Sequence, residues 1–234
     1  MRIVLVTSET VHHAYFARRI AEAHGLCAIV VQTRAAEPEF EVAHPYEPQR
    51  DAFEREALLG GEAMSLADVA EVTAVRSVND AVPRLRELAP DVILVFGAGR
   101  LMPSAIAVAS TACLSLHEGD PERYRGLDSH LWAVYHRDFG SLVTTLNHVD
   151  PVLDVGDVVD RAPIPVARGM ELYELRAASA RVCVELTGAT LAAIDRGKVV
   201  ARRQQTAIGR FYSFMPAALK ELCVDRFRRY TAWL

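Results

Sequence analysis

The sequence predicts an α/β domain built on a doubly wound, mostly parallel sheet. Three observations carry that expectation. Residues 2–7 (RIVLVT) form an apolar, β-rich run bounded by polar residues, as a buried strand does. Residues 10–24 then place Val11, Ala14, Tyr15, Ala17, Ile20 and Ala21 at helical spacing, and residues 27–32 (CAIVVQ) are β-rich again. A β-α-β start implies parallel strands joined by a right-handed crossover. Further on, residues 91–96 (DVILVF) are strongly apolar, as a central strand is, and residues 112–117 (ACLSLH) supply its neighbour.

The remaining elements follow in order. Residues 33–46 are polar with two prolines and predict a loop. Residues 47–59 predict a helix with Phe53, Ala57 and Leu58 inward, stopped by Gly60-Gly61. A strand over 69–75 precedes a helix over 78–88, capped by Asn79 or Asp80, with Pro83 tolerable only in its first turn. A short helix is expected over 103–109, and another over 127–137 with Leu131, Val134 and Tyr135 on one face. Residues 141–149 alternate, with Leu142, Thr144, Leu146 and His148 on one side. The two prolines in 157–166 favour an edge strand. A long apolar helix over 171–195, a short strand over 197–204 and a terminal helix over 215–230 complete the chain. The expected division is a catalytic domain over 1–208 and a helical extension over 209–234. Core packing is the first expectation for the aromatic residues Phe211, Tyr212, Phe214 and Trp233, and a homodimer contact the second.

Composition excludes several function classes. The 234 residues carry a net charge of −4 and no long basic run. Phosphate tracking needs clustered Lys and Arg, so no nucleic-acid partner is expected. Four cysteines lie far apart without a CxxC pair. That predicts reduced thiols and no metal site. No apolar run approaches the ~20 residues that span a bilayer, so no membrane partner and a cytoplasmic location are expected. The first β-α turn, Thr7 to Thr10, holds neither GxGxxG nor GxxxxGK[ST]. His12 and His13 in the first helix stand where ligands bind, at the carboxyl ends of parallel strands; exposed helix histidines are the first expectation and ligand contact the second.

Chemistry concentrates between Cys113 and Asp157. Ser115 and His117 are two residues apart on one strand and share a face. Asp154 lies in the turn Leu153-Asp154-Val155-Gly156-Asp157. Three readings of these residues compete: ordinary structural roles, nucleophilic catalysis by Ser115, and His117 as proton donor with Asp154 orienting it. A nucleophilic serine sits on a strained turn such as GxSxG, whereas Ser115 sits inside an apolar strand.

The runs LSLHEGDPERYRG, LVTTLNHVDPVLDVGDVV and PDVILVFGAGRLMP together resemble the formyltransferase family that uses N10-formyltetrahydrofolate. The resemblance covers about residues 70–165. Family patterns are an N-[IL]-H strand end, S-L-L-P-x-[YF]-[RK]-G, and a D-x-G turn after T-[IV]-H-x-[VM]-D. It implies a Rossmann-like formyltransferase fold with His117 and Asp154 catalytic. Ser115 stands where the family has an asparagine that helps hold the formyl oxygen. Phe96, Gly97, Gly99, Arg100, Leu101, Met102, Val152 and Val155 would line the folate pocket. Ser8, Glu118, Tyr124 and Arg125 would meet the acceptor, a small-molecule amine such as an amino sugar nucleotide or another specialised metabolite. Two alternatives remain open because of Ser115: a non-catalytic binder of folate or sugar nucleotide, and a hydrolase that deformylates the folate.

Overall fold

The computed structural model describes residues 1–34, 37–198 and 200–234. Its elements are β1 (Ile3–Thr7), α1 (Val11–His24), β2 (Ala28–Gln32), α2 (Tyr46–Leu59), β3 (Val72–Val75), α3 (Val82–Leu88), β4 (Val92–Phe96) and α4 (Pro103–Ile106). Then come β5 (Ala112–His117), β6 (Tyr124–Gly126), α5 (Ser129–Tyr135), β7 (Val143–His148), β8 (Val158–Pro163), α6 (Leu175–Asp195), β9 (Arg210–Tyr212) and α7 (Ala217–Ala232). Seven strands form one sheet in the order β3-β2-β1-β4-β5-β7-β8. The first five in that order run parallel. β7 and β8 run antiparallel, with β8 on the edge, where its Pro163 is tolerated. The chain leaves β1 for β2 and β3 on one side and crosses to β4 on the other. The carboxyl ends of β1 and β4 therefore flank a topological switch point, where doubly wound sheets bind ligands.

Alternation along the strands builds both layers. Ile3, Leu5, Leu94, Leu114 and Leu146 meet Phe16 and Ile20 of α1 and Cys183 and Leu191 of α6. Val4, Val6, Ile93 and Val95 meet Leu85 of α3 and Ala105 of α4. The helical stretch Leu172–Asp195 is long and apolar enough to cross a membrane, yet it packs on α1 and β7 as a core helix. A third cluster joins Leu131 and Val134 of α5 to Met215, Cys223 and Phe227. The C-terminal helix thus shares a core with the segment that follows the loop after β5. His130 ties α5 to the sheet by donating from Nε2 to the Val143 carbonyl at 2.8 Å.

Several local expectations are corrected. In α2 the buried residues are Tyr46, Glu54 and Leu59 rather than Phe53, Ala57 and Leu58. Arg176 of α6 draws Glu54 inward through two bonds of 2.5 and 2.7 Å. Residues 78–88 divide into a 3-10 turn (Val78–Ala81) and α3, and Ser77 is the cap. Pro83 has no N–H to donate, which suits only the first turn of a helix. Within 197–204, Val199 lies outside the described residues, and Arg202 makes an isolated bridge to Val158. The three-residue strands β6 and β9 pair in parallel as a second small sheet. They are too short to show a period.

Two stability predictions follow from this packing. A Cβ on Gly156 would sit 1.8 Å from the His148 carbonyl oxygen. Gly156→Ala is expected to lower unfolding free energy by at least ~2 kcal/mol in urea titrations, because backbone must move. Burial pushes the His130 pKa down to about 4, against the opposing bond to Val143. The unfolded chain titrates this group near ~6.5, so below that pH it binds a proton that the native state refuses. Stability contributed by neutral His130 is present above ~6.5 and lost as pH falls toward 4. The urea midpoint measured across that window should fall with pH, and His130→Gln should flatten the fall.

Candidate active site

A cavity of about 490 Å³ opens at the carboxyl ends of the strands, bordered by Thr10 after β1, Gly97 after β4 and Ser115 to Glu118 at the end of β5. β5 delivers His117 into it, almost fully buried. The His117 Nε2–H donates to the Tyr124 carbonyl at 2.7 Å. That bond keeps the proton of the neutral ring on Nε2 and leaves Nδ1 as the reactive nitrogen. Nδ1 faces Asp154 Oδ1 at 3.6 Å. This is too long for a direct hydrogen bond, but close enough for the carboxylate to stabilise an imidazolium. Asp154 occupies the left-handed region at φ 55°, an uncommon conformation for a non-glycine residue. Its Oδ2 accepts the Gly126 N–H at 2.7 Å. One short strand, β6, therefore holds both groups through its own backbone.

Ser115 lines the same cavity. Its partner across the sheet is Asn147. Asn147 is buried and its amide donates to the His148 carbonyl at 3.0 Å.

The floor of the cavity is a buried charged network. His12 and His13 are 3% and 4% exposed, which corrects the expectation of exposed helix histidines. The first turn of α1 faces the switch-point crevice, so its side chains enter the site. The His13 ring fills the space beside Gly97, where a Cβ would lie 2.2 Å from it. Gly97 has φ 69°, so both backbone conformation and space call for glycine there. Burial pushes His13 down to about 3 and His12 well below the usual histidine range. His12 lies 3.8 Å from Glu54 and 3.9 Å from Glu118. Burial pushes both carboxyls up, with Arg176 opposing. Glu118 Oε1 is buried and has no hydrogen-bond partner among the described residues. Buried polar atoms without partners are rare, and Glu118 is a lining residue of the cavity.

The other expected residues divide. Phe96, Gly97, Gly99 and Arg100 line the cavity. Arg100 bonds the Pro151 carbonyl and so joins the two loops at the mouth. Leu101 is buried in the opposite layer of the core. Met102 and Val152 are exposed, and Leu153 lines the cavity in place of Val152 and Val155. Ser8 sits behind His13, with its hydroxyl 3.3 Å from Nδ1. Tyr124 and Arg125 do not line the cavity: the Tyr124 hydroxyl donates to Asp138, and the Arg125 guanidinium reaches the carbonyls of Pro121, Thr206 and Gly209. Sequence reasoning missed Glu54 and Arg176, whose contact spans 122 positions. The position of His12 and His13 just after β1 carries the alternative of ligand contact, and both line the cavity. Among the described residues, no group of three His, Cys, Asp or Glu is placed to hold a metal ion. A larger cleft of about 670 Å³ lies beside β8, between Pro163 and Arg181. It contains none of these catalytic candidates, so the chemistry selects the smaller cavity.

No family model matches the chain. Over 130 residues it is 27% identical to the methionyl-tRNA formyltransferase of Citrifermentans bemidjiense, covering 55% of this chain and 41% of that protein. The alignment thus spans less than half the length of that relative. The fold is shared with glycinamide ribonucleotide transformylase 1 from Symbiobacterium toebii, at TM-score 0.60 and 16% identity, covering 87% of this chain and 94% of that one. It is also shared with the N-formyltransferase of Helicobacter canadensis, solved with folinic acid and dTDP-3-aminofucose, at TM-score 0.57 and 11% identity, covering 91% and 71% of the two chains. Sequence similarity over about half of the chain and a shared fold thus both relate it to formyltransferases.

Proposed function

We propose that this protein transfers a formyl group from N10-formyltetrahydrofolate to the amino group of a small acceptor. The observation that carries the proposal is the fixed pair of His117 Nδ1 and Asp154 Oδ1 in a cavity at the switch point. The cavity suits the donor. About 490 Å³ falls in the range of small-molecule sites. Val95, Phe96, Leu131 and Leu153 give it apolar walls, and the glycine-bearing turn after β4 offers backbone at its edge. The donor, when bound, supplies a formyl group activated on nitrogen.

The residues of the chain divide the remaining work. His117 donates from Nδ1 toward the formyl oxygen when protonated, and the Asp154 carboxylate stabilises that imidazolium. The Ser115 hydroxyl, on the same strand face, is a second donor to that oxygen. Losing such a donor typically costs ~10²–10³ in rate, so Ser115 in the place of a longer amide bears directly on turnover. We assign Glu118 to the acceptor. An amine at neutral pH enters as a cation, and Glu118, a lining residue of the cavity, keeps its Oε1 without a hydrogen-bond partner among the described residues. Its raised pKa makes it a stronger base than an exposed carboxylate. It takes the ammonium proton and leaves the lone pair free to attack.

Support for a sugar-nucleotide acceptor comes from the ligand of the Helicobacter neighbour and from the net charge of −4, which disfavours a polyanionic RNA. The test is release of tetrahydrofolate from N10-formyltetrahydrofolate against a panel of amino sugar nucleotides and simple primary amines. His117→Ala and Asp154→Asn should each lower amine-dependent release by ~10³-fold or more, with the thermal transition retained. Full activity in either folded variant contradicts the proposal. Release of formate at the same rate without any amine would favour deformylation instead.

A further inference from the structure

We infer that the segment from Arg202 to Tyr212 is a positioning clamp for the His117–Asp154 pair; the inference rests on the formyl-transfer reading of that pair. β6 fixes His117 through the Tyr124 carbonyl and Asp154 through the Gly126 N–H. β6 stands outside the seven-stranded sheet, and β9 is its strand partner. A two-stranded pair is marginal by itself, so the geometry of the site depends on what holds these three residues.

The C-terminal segment grips both arms of the site. β9 bonds β6 from either side: the Arg210 N–H donates to the Arg123 carbonyl and the Leu127 N–H to the Tyr212 carbonyl, each at 3.0 Å. A Cβ on Gly126 would lie 2.3 Å from the Tyr212 oxygen, so the strands approach closely only because that residue is glycine. Arg125 is buried between the two segments. It donates to Pro121 at 3.1 Å on one side and to Thr206 at 3.2 Å and Gly209 at 2.6 Å on the other. On the second arm, Gln204 Nε2 donates to the Gly156 carbonyl at 2.8 Å and so holds the turn that carries Asp154. Arg202 closes the segment on Glu122 with two bonds of 2.7 and 2.8 Å. Arg125 and Gln204 touch neither cavity nor catalytic side chain. They act through the backbone of β6 and of the Asp154 turn.

Displacing a catalytic group by about 1 Å costs on the order of 10²-fold. Cutting the clamp should therefore lower turnover while leaving donor binding intact. The test compares Arg125→Met, Arg125→Lys and Gln204→Leu with wild type by two readouts. The first is kcat against KM for N10-formyltetrahydrofolate. The second is the ¹⁵N spectrum of the His117 imidazole, recorded without any ligand. The clamp predicts a fall in kcat of about tenfold or more in Arg125→Met with KM within about twofold. It also predicts a smaller fall in Arg125→Lys and a His117 Nε2–H signal that broadens or averages between tautomers. Gln204→Leu removes one bond and should shift the same signals in the same direction. An unchanged His117 spectrum and kcat in folded Gln204→Leu and Arg125→Met overturn the inference. If Arg125→Met does not fold, Gln204→Leu alone decides by the same criteria. Should wild type transfer no formyl group, the functional reading fails, and the imidazole spectrum still decides the clamp.

Discussion

The site depends on two backbone hydrogen bonds from one short strand. Tyr124 offers its carbonyl to His117 Nε2, and Gly126 offers its N–H to Asp154 Oδ2. The first bond fixes which ring nitrogen is reactive. The second occupies one carboxylate oxygen and turns the other toward that nitrogen. Side-chain chemistry is thus set by main-chain geometry, and β6 in turn is placed by β9 and the buried Arg125. A strand of three residues becomes the joint between the sheet, the Asp154 turn and the C-terminal segment.

A second constraint comes from burying charge beside the pair. Isolated charges are costly in a low-dielectric site, and the network resolves this unevenly. Arg176 and Glu54 satisfy one another through two bonds. His12 and His13 are held neutral by burial. Glu118 alone keeps a carboxylate oxygen without a partner among the described residues. The asymmetry leaves one unpartnered carboxylate oxygen in this network among the described residues, the one assigned above to the proposed amine acceptor. The left-handed Asp154 is held by the Gly126 N–H, and its turn by Gln204 through the Gly156 carbonyl.

Much of this was legible in the sequence, for physical reasons. Buried parallel strands such as Val92–Phe96 are apolar throughout, and their order with the intervening helices specifies the sheet. His117 and Asp154 were visible because strand ends and D-x-G turns have local signatures. The roles of Tyr124 and Arg125 were not. The resemblance places them at the acceptor, whereas the structure uses the Tyr124 carbonyl and the Arg125 guanidinium to build the site from behind. Backbone acceptors carry no residue code, and contacts such as Arg125 to Gly209 or Arg176 to Glu54 join distant positions that no period reveals. His12 and His13 were misread because an adjacent pair of histidines on a helix suggests exposure, while the switch point buries them.

On the proposed function, the cavity between β1, β4 and β5 is the folate site, and His117 and Asp154 face it. Titration of isotopically labelled protein with 5-formyltetrahydrofolate, followed by NMR, tests this most directly. Saturable shifts are expected at Gly97, Gly99, His117 and Gly126, all beside the cavity or its holding strand. Shifts confined to the cleft at Arg168, Gly169 and Arg181, or no saturable binding, would contradict it.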